Sequence, residues 1–438
     1  MSPVMGPAEG HAVGQAVGPG GSRGSGARSR TVVLAPDSYK ESMDAVAACR
    51  AMEHGVSAVW PDAHCVWRPM ADGGEGTVGA VVRAGAARAV EVVAHDALMR
   101  PRRAVIAWDA DSGTAVVECA QGPGLEHVGA RERDIWGATS VGVGEMVLGA
   151  LDLGARRIVI GLGGSASNDG GAGMLAALGV RFRREDADEG GTGDEGASDS
   201  ESWNGVPVGP RGLIGLGSLD VSGLDPRLAE VEVIAATDVT NPLLGPRGAT
   251  EVFGPQKGAS PEDVVLLEDV LGHLADLGAR ACGHDRRDES GAGAAGGLGW
   301  ACLQFLDAVV RPGVEVVAEL VGLDGAVHGA DLVLTGEGSV DAQTLDGKTP
   351  LGVARIAQDA GVPVVVIAGR VGPGAGRLVE HGVAAVVPMV REAGPLEEVL
   401  AAGEGNLAAA AEMVCRLLDV GEASGAVTGD AGVPGSPA

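Results

Sequence analysis

Between Arg156 and Met174 the chain reads RRIVIGLGGSASNDGGAGM, a run that only a strand, a sharp turn and a helix start can satisfy. Arg157 to Ile160 brings β-branched residues up to Gly161, as a buried strand does. Gly163 and Gly164 remove side chains where the backbone must turn. Ser165, Ser167, Asn168 and Asp169 then precede an Ala- and Leu-rich helix, Ala172 to Leu178. Such a unit lines up N–H groups at the positive end of a helix dipole, which suits an anion. Its spacing is neither the dinucleotide GxGxxG nor the P-loop GxxxxGK[ST]. The same residues also describe a tight turn with a capped helix, so the local unit is fixed and its ligand is left open.

The unit recurs. In TVVLAPDSYKES, Thr31 to Ala35 reads as a strand, Pro36 to Lys40 as a turn and Ser42 as an N-cap; Met43, Val46, Ala47, Met52 and Val56 follow at helical spacing. A second strand, Cys65 to Met70, runs into ADGGEGT and another helix. Two such units in succession predict a parallel sheet with right-handed crossovers. Ligands of such sheets sit at the carboxyl ends of the strands, so each turn lies at a candidate ligand edge. From Ala89 to Ala120 strand-like runs follow one another without a helix, predicting an antiparallel part and a boundary near residue 93. A helix over Ile135 to Leu153 leads back to the opening stretch, and α/β alternation resumes from strand Val231 to Ala235. Later elements are strand Leu332 to Leu334, helix Pro350 to Ala360, strand Val364 to Ile367, helix Gly374 to His381, strand Ala384 to Val387 and a last helix to about Leu418. Residues 1–30 read as a disordered leader, 185–204 as an acidic surface loop and 419–438 as a disordered tail.

Composition excludes several partners. A formal charge of −27 disfavours nucleic acid and anionic membrane surfaces. With one Tyr and three Phe, stacking on aromatic platforms is not the binding mode. The N-terminus lacks a continuous apolar segment, and no run reaches the length of a membrane span. Six cysteines without a CxxC pair predict buried thiols in a reducing cytoplasm, and nine histidines fall in no metal-ligand spacing.

Phosphoryl transfer needs cradling N–H groups, cations on the phosphates, carboxylates for Mg2+ and a group that takes the acceptor's proton. Turns after strands offer each part: Asp37, Ser38 and Lys40; Asp72, Gly73, Gly74 and Glu75; Asp238 and Asn241, with Gln256 and Lys257 nearby; Thr335, Glu337, Asp341 and Lys348. Singly, each has a structural use. Asp37 and Asp72 can cap helices, Asp238 and Asn241 can make an Asx turn before Pro242, and Lys257 can be a solvated lysine. Together, acids gathered on one ligand edge repel unless a cation or a function offsets them. Gly291, Gly293 and Gly296 do match GxGxxG, but HDRRDES before them is no strand. In LDGKTP the P-loop's first glycine is replaced by Ala342, and Thr349 with Pro350 reads as a helix start.

In order and spacing, APDSYKES, MADGGEGT, GGSASNDGGAGM, TDVTNPLLGPRGA, VFGPQKGA, GAGAAGGLG and TGEGSVDAQTLDGKTPLGVA resemble the bacterial glycerate kinase family over about Val32 to Val387. Tyr39 stands where that family usually has Phe, Glu41 where it often has Gly, and Thr237 where Cys is common. The resemblance implies an α/β protein: a flavodoxin-like parallel-sheet domain from both chain ends, 31–92 and 290–418, with a second α/β domain, 93–289, inserted. It implies ATP and Mg2+ as cofactors and D-glycerate as acceptor, usually giving 2-phosphoglycerate and in some accounts the 3-phosphate. Asp72, Lys40 and Asp341 are then the catalytic candidates. Gly163, Gly164, Ser165, Asn168, Gly293 and Gly296 are candidates for phosphate or nucleotide, and Ser38, Lys257 and Lys348 for substrate. Asp72, Glu337 and Asp238 are the metal candidates. A cytoplasmic monomer or homodimer acting on small molecules is expected. A kinase for another small hydroxy acid and a non-catalytic nucleotide sensor stay open, although no acid or lysine of the set is eroded.

Overall fold

The computed structural model describes residues 29–184, 202–203, 206–207 and 209–428. The expected leader up to residue 28, most of the acidic loop 185–204 and the tail from 429 lie outside the described residues. Strands β1 (Thr31–Pro36) and β2 (His64–Trp67) open the chain. Next come β3 (Arg88–His95), β4 (Pro101–Asp109), β5 (Thr114–Glu118) and β6 (Arg157–Gly161). Four short strands, β7 (Arg181–Arg184), β8 (Ser202–Trp203), β9 (Val206–Pro207) and β10 (Leu216–Asp220), make two small antiparallel pairs. Then follow β11 (Glu232–Ala236), β12 (Val309–Arg311), β13 (Leu332–Val340), β14 (Val364–Val371) and β15 (Val383–Pro388).

Five strands form one all-parallel sheet in the order β15-β14-β13-β1-β2. Counted by their sequence within that sheet, this is the doubly wound order 2-1-3-4-5, whose direction of winding reverses between β1 and β13. A six-stranded sheet, β12-β11-β6-β5-β4-β3, is parallel from β12 to β5 and antiparallel from β5 to β3, as the helix-free stretch after Ala89 predicts. Its strands run from Arg88 to Arg311. The sheet therefore changes earlier and returns later than the expected divisions at 93 and 290, because β3 pairs along its whole length with β4 and β12 pairs with β11.

The two sheets share an apolar layer. Val33 and Val333 of the first face Val116, Val159 and Ile234 of the second, with Val78, Val81, Val316 and Val317 between them. The helices Thr77–Arg83 and Gly313–Val321 supply those intervening side chains. Helices Ala45–Val59 and Gly403–Thr428 cover the outer face of the first sheet. The last of these continues to Thr428 instead of ending near Leu418. Other ends also move. Asp44, not Ser42, caps the first helix, its carboxylate accepting from the Ala47 amide at 2.7 Å, while Ser42 donates to the Leu400 carbonyl. The helix expected from Ile135 begins at Val141, and 375–381 is a 3-10 turn.

Candidate active site

At the winding reversal the first sheet delivers two acids side by side. Pro36, the last residue of β1, is the register partner of Gly336, midway along β13, and the Asp37 amide donates to the Gly336 carbonyl at 2.9 Å. Asp37 thus leaves β1 beside Glu337, which stays within β13 paired with Ala368, because that strand runs on to Val340 instead of ending at the expected Leu334. Thr349, at the start of the helix Thr349–Asp359, donates to Asp37 Oδ2 at 2.6 Å. Thr344 donates to Glu337 Oε1 at 3.2 Å and receives the Asp341 amide at 3.2 Å.

The Asp72 turn joins this edge to the second sheet. Gly73 takes φ +82° and Gly74 brings its Cα against Gly163, where a Cβ on Gly163 would collide with the Gly74 backbone and one on Gly74 would crowd the Asp72 carboxylate. A Cβ on Gly161 would strike the Gly73 carbonyl, and one on Gly313 would strike the Asp72 carbonyl. Gly161 and Ala236 end β6 and β11 in register, and the Gly313 amide donates to Asp238 Oδ1 at 2.9 Å. Turns after β1, β2, β6 and β11 therefore meet at one place, beside β13. Gly163 is half-buried and Gly164 exposed there, so backbone stays within reach, as their phosphate-binding candidacy requires.

Charge accumulates at this meeting point. Withdrawal from water and then the charge of Asp72 raise Asp37 to about 6 and Asp238 to about 6. Glu337 is raised to about 7, by withdrawal from water first, against the pull of Lys348 and with the push of Asp37. Lys40 acts on Glu75, whose carboxyl is raised by withdrawal from water and by Glu126. A divalent cation suits such a donor set, since hard oxygen ligands held near one another repel until a positive charge is placed among them. Among the described residues no three of Asp, Glu, His or Cys close a metal cage by themselves. That accords with Mg2+, which is bound by one or two carboxylates together with substrate phosphates and water.

Other candidates have polar groups engaged elsewhere, although the buried Oδ1 of Asn168 has no hydrogen-bond partner among the described residues. Lys257, 3% exposed, donates from Nζ to Ser165 Oγ at 2.8 Å and to the Ser167 carbonyl at 2.6 Å. Burial lowers this ammonium to about 8. Asn168 donates from Nδ2 to Thr250 Oγ1 at 3.0 Å and is fully buried, as is Ser165 within a few per cent. Gly293 and Gly296 are packing positions: a Cβ would strike the Pro242 carbonyl and the Ser167 carbonyl, respectively. Asn241 is held by its own loop, donating to the Arg247 carbonyl at 2.7 Å.

Glu118 escaped the sequence reading. Ending β5 in the second sheet and fully buried, it accepts from the Gly76 amide at 2.9 Å and the Val78 amide at 3.0 Å. It thereby caps, across the sheet junction, the helix that follows the Asp72 turn, and burial raises its carboxyl to about 7. An acid terminating the apolar run TAVVE was the available signal.

Two cavities flank the acids. One of about 1000 Å³ runs from Asp238 past Val239, Val310, Leu345 and Ile356. The other, about 570 Å³, is lined by Asp37, Ser38, Lys40 and Glu75.

Residues 32–419 match the model of the glycerate kinase family. The chain is 44% identical over 369 residues to a glycerate kinase of Bacillus subtilis (strain 168), covering 84% of this chain and 92% of that protein. It is 42% identical over 392 residues to a glycerate 2-kinase of Escherichia coli (strain K12), covering 89% and 98%. A crystal structure of a protein described as a glycerate kinase 2 from Salmonella typhimurium LT2 superposes with a TM-score of 0.75 at 41% identity, covering 90% of this chain and 99% of that one.

Proposed function

The chain belongs to the glycerate kinase family, and from that premise we propose that it transfers the γ-phosphoryl group of ATP to a hydroxyl of D-glycerate. The observation that carries this reading is the meeting of strand-end turns from two sheets around Asp37, Asp72 and Asp238, with Glu337 beside them on β13. Phosphoryl transfer asks for positioning and charge compensation more than for covalent chemistry, and a junction of rigid strand ends provides both. The bond between the γ-phosphorus and its bridging oxygen breaks, a new P–O bond forms to the acceptor oxygen, and the hydroxyl proton passes to a carboxylate. Asp72 is our choice for that carboxylate, because its charge acts on Asp37, Asp238 and Glu337 alike. Ser38 and Lys40 would hold the glycerate carboxylate, and Lys348 would balance phosphate charge beside Glu337. Held by one or two of Asp72, Asp238 and Glu337 together with the phosphates, Mg2+ would supply charge neutralisation. The backbone at Gly163 and Gly164, close to the Asp72 turn and open to solvent at Gly164, fits phosphate oxygens.

We further propose the 2-hydroxyl as acceptor, in keeping with the relative that bears the name glycerate 2-kinase. Incubating the purified protein with ATP, Mg2+ and D-glycerate tests both statements. ADP formation dependent on glycerate is expected, with phosphorus and proton NMR identifying 2-phosphoglycerate. A folded protein that forms no ADP rejects the kinase; a 3-phosphate product rejects the regiochemistry alone.

A further inference from the structure

We infer that the two cavities divide the substrates: the larger one takes the nucleoside end of the nucleotide, and the smaller one takes the hydroxy acid. The inference rests on the kinase reading above and extends it to where each substrate lies. Size sorts them first. A cavity of about 1000 Å³ is at the upper end of what drug-sized ligands fill, whereas a three-carbon acid would rattle in it. Lining sorts them second. Val239, Val310, Val314, Leu345 and Ile356 make the larger cavity apolar along its sides, as a base and sugar require. Among the described residues no aromatic ring lines it, so the base would be gripped between aliphatic side chains.

The smaller cavity has apolar walls too, from Tyr39, Met43, Val46 and Met70, and is set apart by its polar end. Ser38 and Lys40 present a hydroxyl and an ammonium to it, the pair a small carboxylate needs. Geometry then fixes the direction of the nucleotide. Asp238 stands on the rim of the larger cavity and Asp37 on the rim of the smaller, and the charge of Asp72 reaches both. A nucleotide whose base lies against Ile356 would point its phosphates toward Asp238, and the acid beside Lys40 would meet them at Asp72. Arg355 is exposed at the far rim and pairs with no acid among the described residues, leaving a cation free to draw a polyanion in.

Calorimetric titration with ADP reads this without turnover. Ile356→Trp, which fills the cavity, is expected to weaken ADP binding at least ten-fold. Arg355→Glu, an exposed change that leaves the core alone, is expected to weaken it three- to ten-fold, more at low salt than at high. Lys40→Met is expected to bind ADP as the unaltered protein does while the KM for D-glycerate rises. Unchanged ADP affinity in both cavity variants, each with an unaltered thermal melt, would overturn the inference, and so would loss of ADP affinity in Lys40→Met. If the unaltered protein binds ADP in this cavity-dependent way but never phosphorylates D-glycerate, the kinase reading falls and the division of the cavities stands.

Discussion

Asp72 and Asp169 occupy the same local motif. Each opens the sequence Asp-Gly-Gly, in ADGGEGT and in GSASNDGG, each follows a strand and each is followed by a short helix. Their surroundings differ in every respect that matters. Asp169 is buried, and its Oδ2 receives the Ser140 amide at 2.8 Å, the Ser140 hydroxyl at 2.9 Å and the Gly173 amide at 3.1 Å. Oδ1 receives the Gly171 amide at 3.1 Å. One carboxylate thus ties together the starts of two helices, Val141–Asp152 and Ala172–Ala177. Asp72 is exposed to the crevice, receives the Gly74 amide at 3.1 Å, and pushes up the carboxyls around it. The first aspartate has its acceptor capacity filled by its own fold; the second has capacity left over, at the cost of repulsion. Surplus of that kind, more than the motif, separates a functional acid from a structural one.

The same substitution at both positions is the sharpest way to break this comparison. Asp72→Asn is expected to lower kcat by about 10³-fold or more, because a preorganised charge or base is removed from the reacting centre. Its melting temperature should not fall, since relief of like charge offsets a weaker hydrogen bond from the Gly74 amide. Steady-state kinetics and a thermal melt on one preparation decide it; a rate within ten-fold of the unaltered enzyme would take Asp72 out of the chemistry.

Asp169→Asn should do the reverse. An amide nitrogen turned toward the donors on Oδ2 leaves buried N–H groups unpaired, at about 2–4 kcal/mol of stability. Urea unfolding measures that loss, and the fraction that remains folded should keep most of its kcat. Similar melts for the two variants would mean that burial and bonding do not distinguish these aspartates.

How much of this was legible beforehand follows from the same contrast. Strand–turn–helix units announce themselves through glycine placement and β-branched runs, which is why the turns bearing Asp37, Asp72 and Asp238 stood out. Glu337, expected in such a turn, lies within β13 because pairing with β14 carries that strand on to Val340. Whether a turn's polar groups are already satisfied depends on partners far along the chain. Lys257 could be read as a solvated lysine or as a substrate contact, and only the fold reveals that it lies 3% exposed and holds Ser165. Glu118 reached its role by pairing β5 beside β6, which no local pattern encodes. The glycines at 161, 163 and 313 are needed because two sheets touch there, a proximity that is invisible until both sheets exist. The change of pattern at Ala89 was legible, and only the division near 93 lies inside β3, because pairing with β4 extends that strand beyond its most apolar residues.

The mildest effect to look for is in the pH dependence of stability. For a carboxyl whose folded value lies above its unfolded one, the folded state holds the proton more tightly. Its contribution is therefore greatest at low pH and is lost as pH rises through the folded value. Asp37 and Asp238 at about 6 and Glu118 and Glu337 at about 7 place that loss between about pH 4, where the unfolded carboxyls ionise, and about pH 7. The lowered acids, such as Asp220 at about 2, lose their contribution only below that window. His127 and, near pH 8, Lys257, both lowered by burial, oppose the trend as two groups against four. The melting temperature should thus fall by about 3 °C between pH 5.5 and pH 8, on the scale at which 1 kcal/mol moves a domain of this size by ~2–4 °C. Activity should run the other way, rising over the same interval as the carboxylates ionise. Mg2+ should restore the melt at pH 8 and do little at pH 5.5, because it offsets repulsion that exists only once the acids are charged. In Asp72→Asn both the pH slope and the Mg2+ response should shrink, whereas a conservative change in the other turn should leave them alone. Differential scanning fluorimetry across pH, with and without Mg2+, measures all of this, and a melting temperature that climbs from pH 5.5 to pH 8 in the absence of the ion would remove the repulsion on which the contrast between the two aspartates is built.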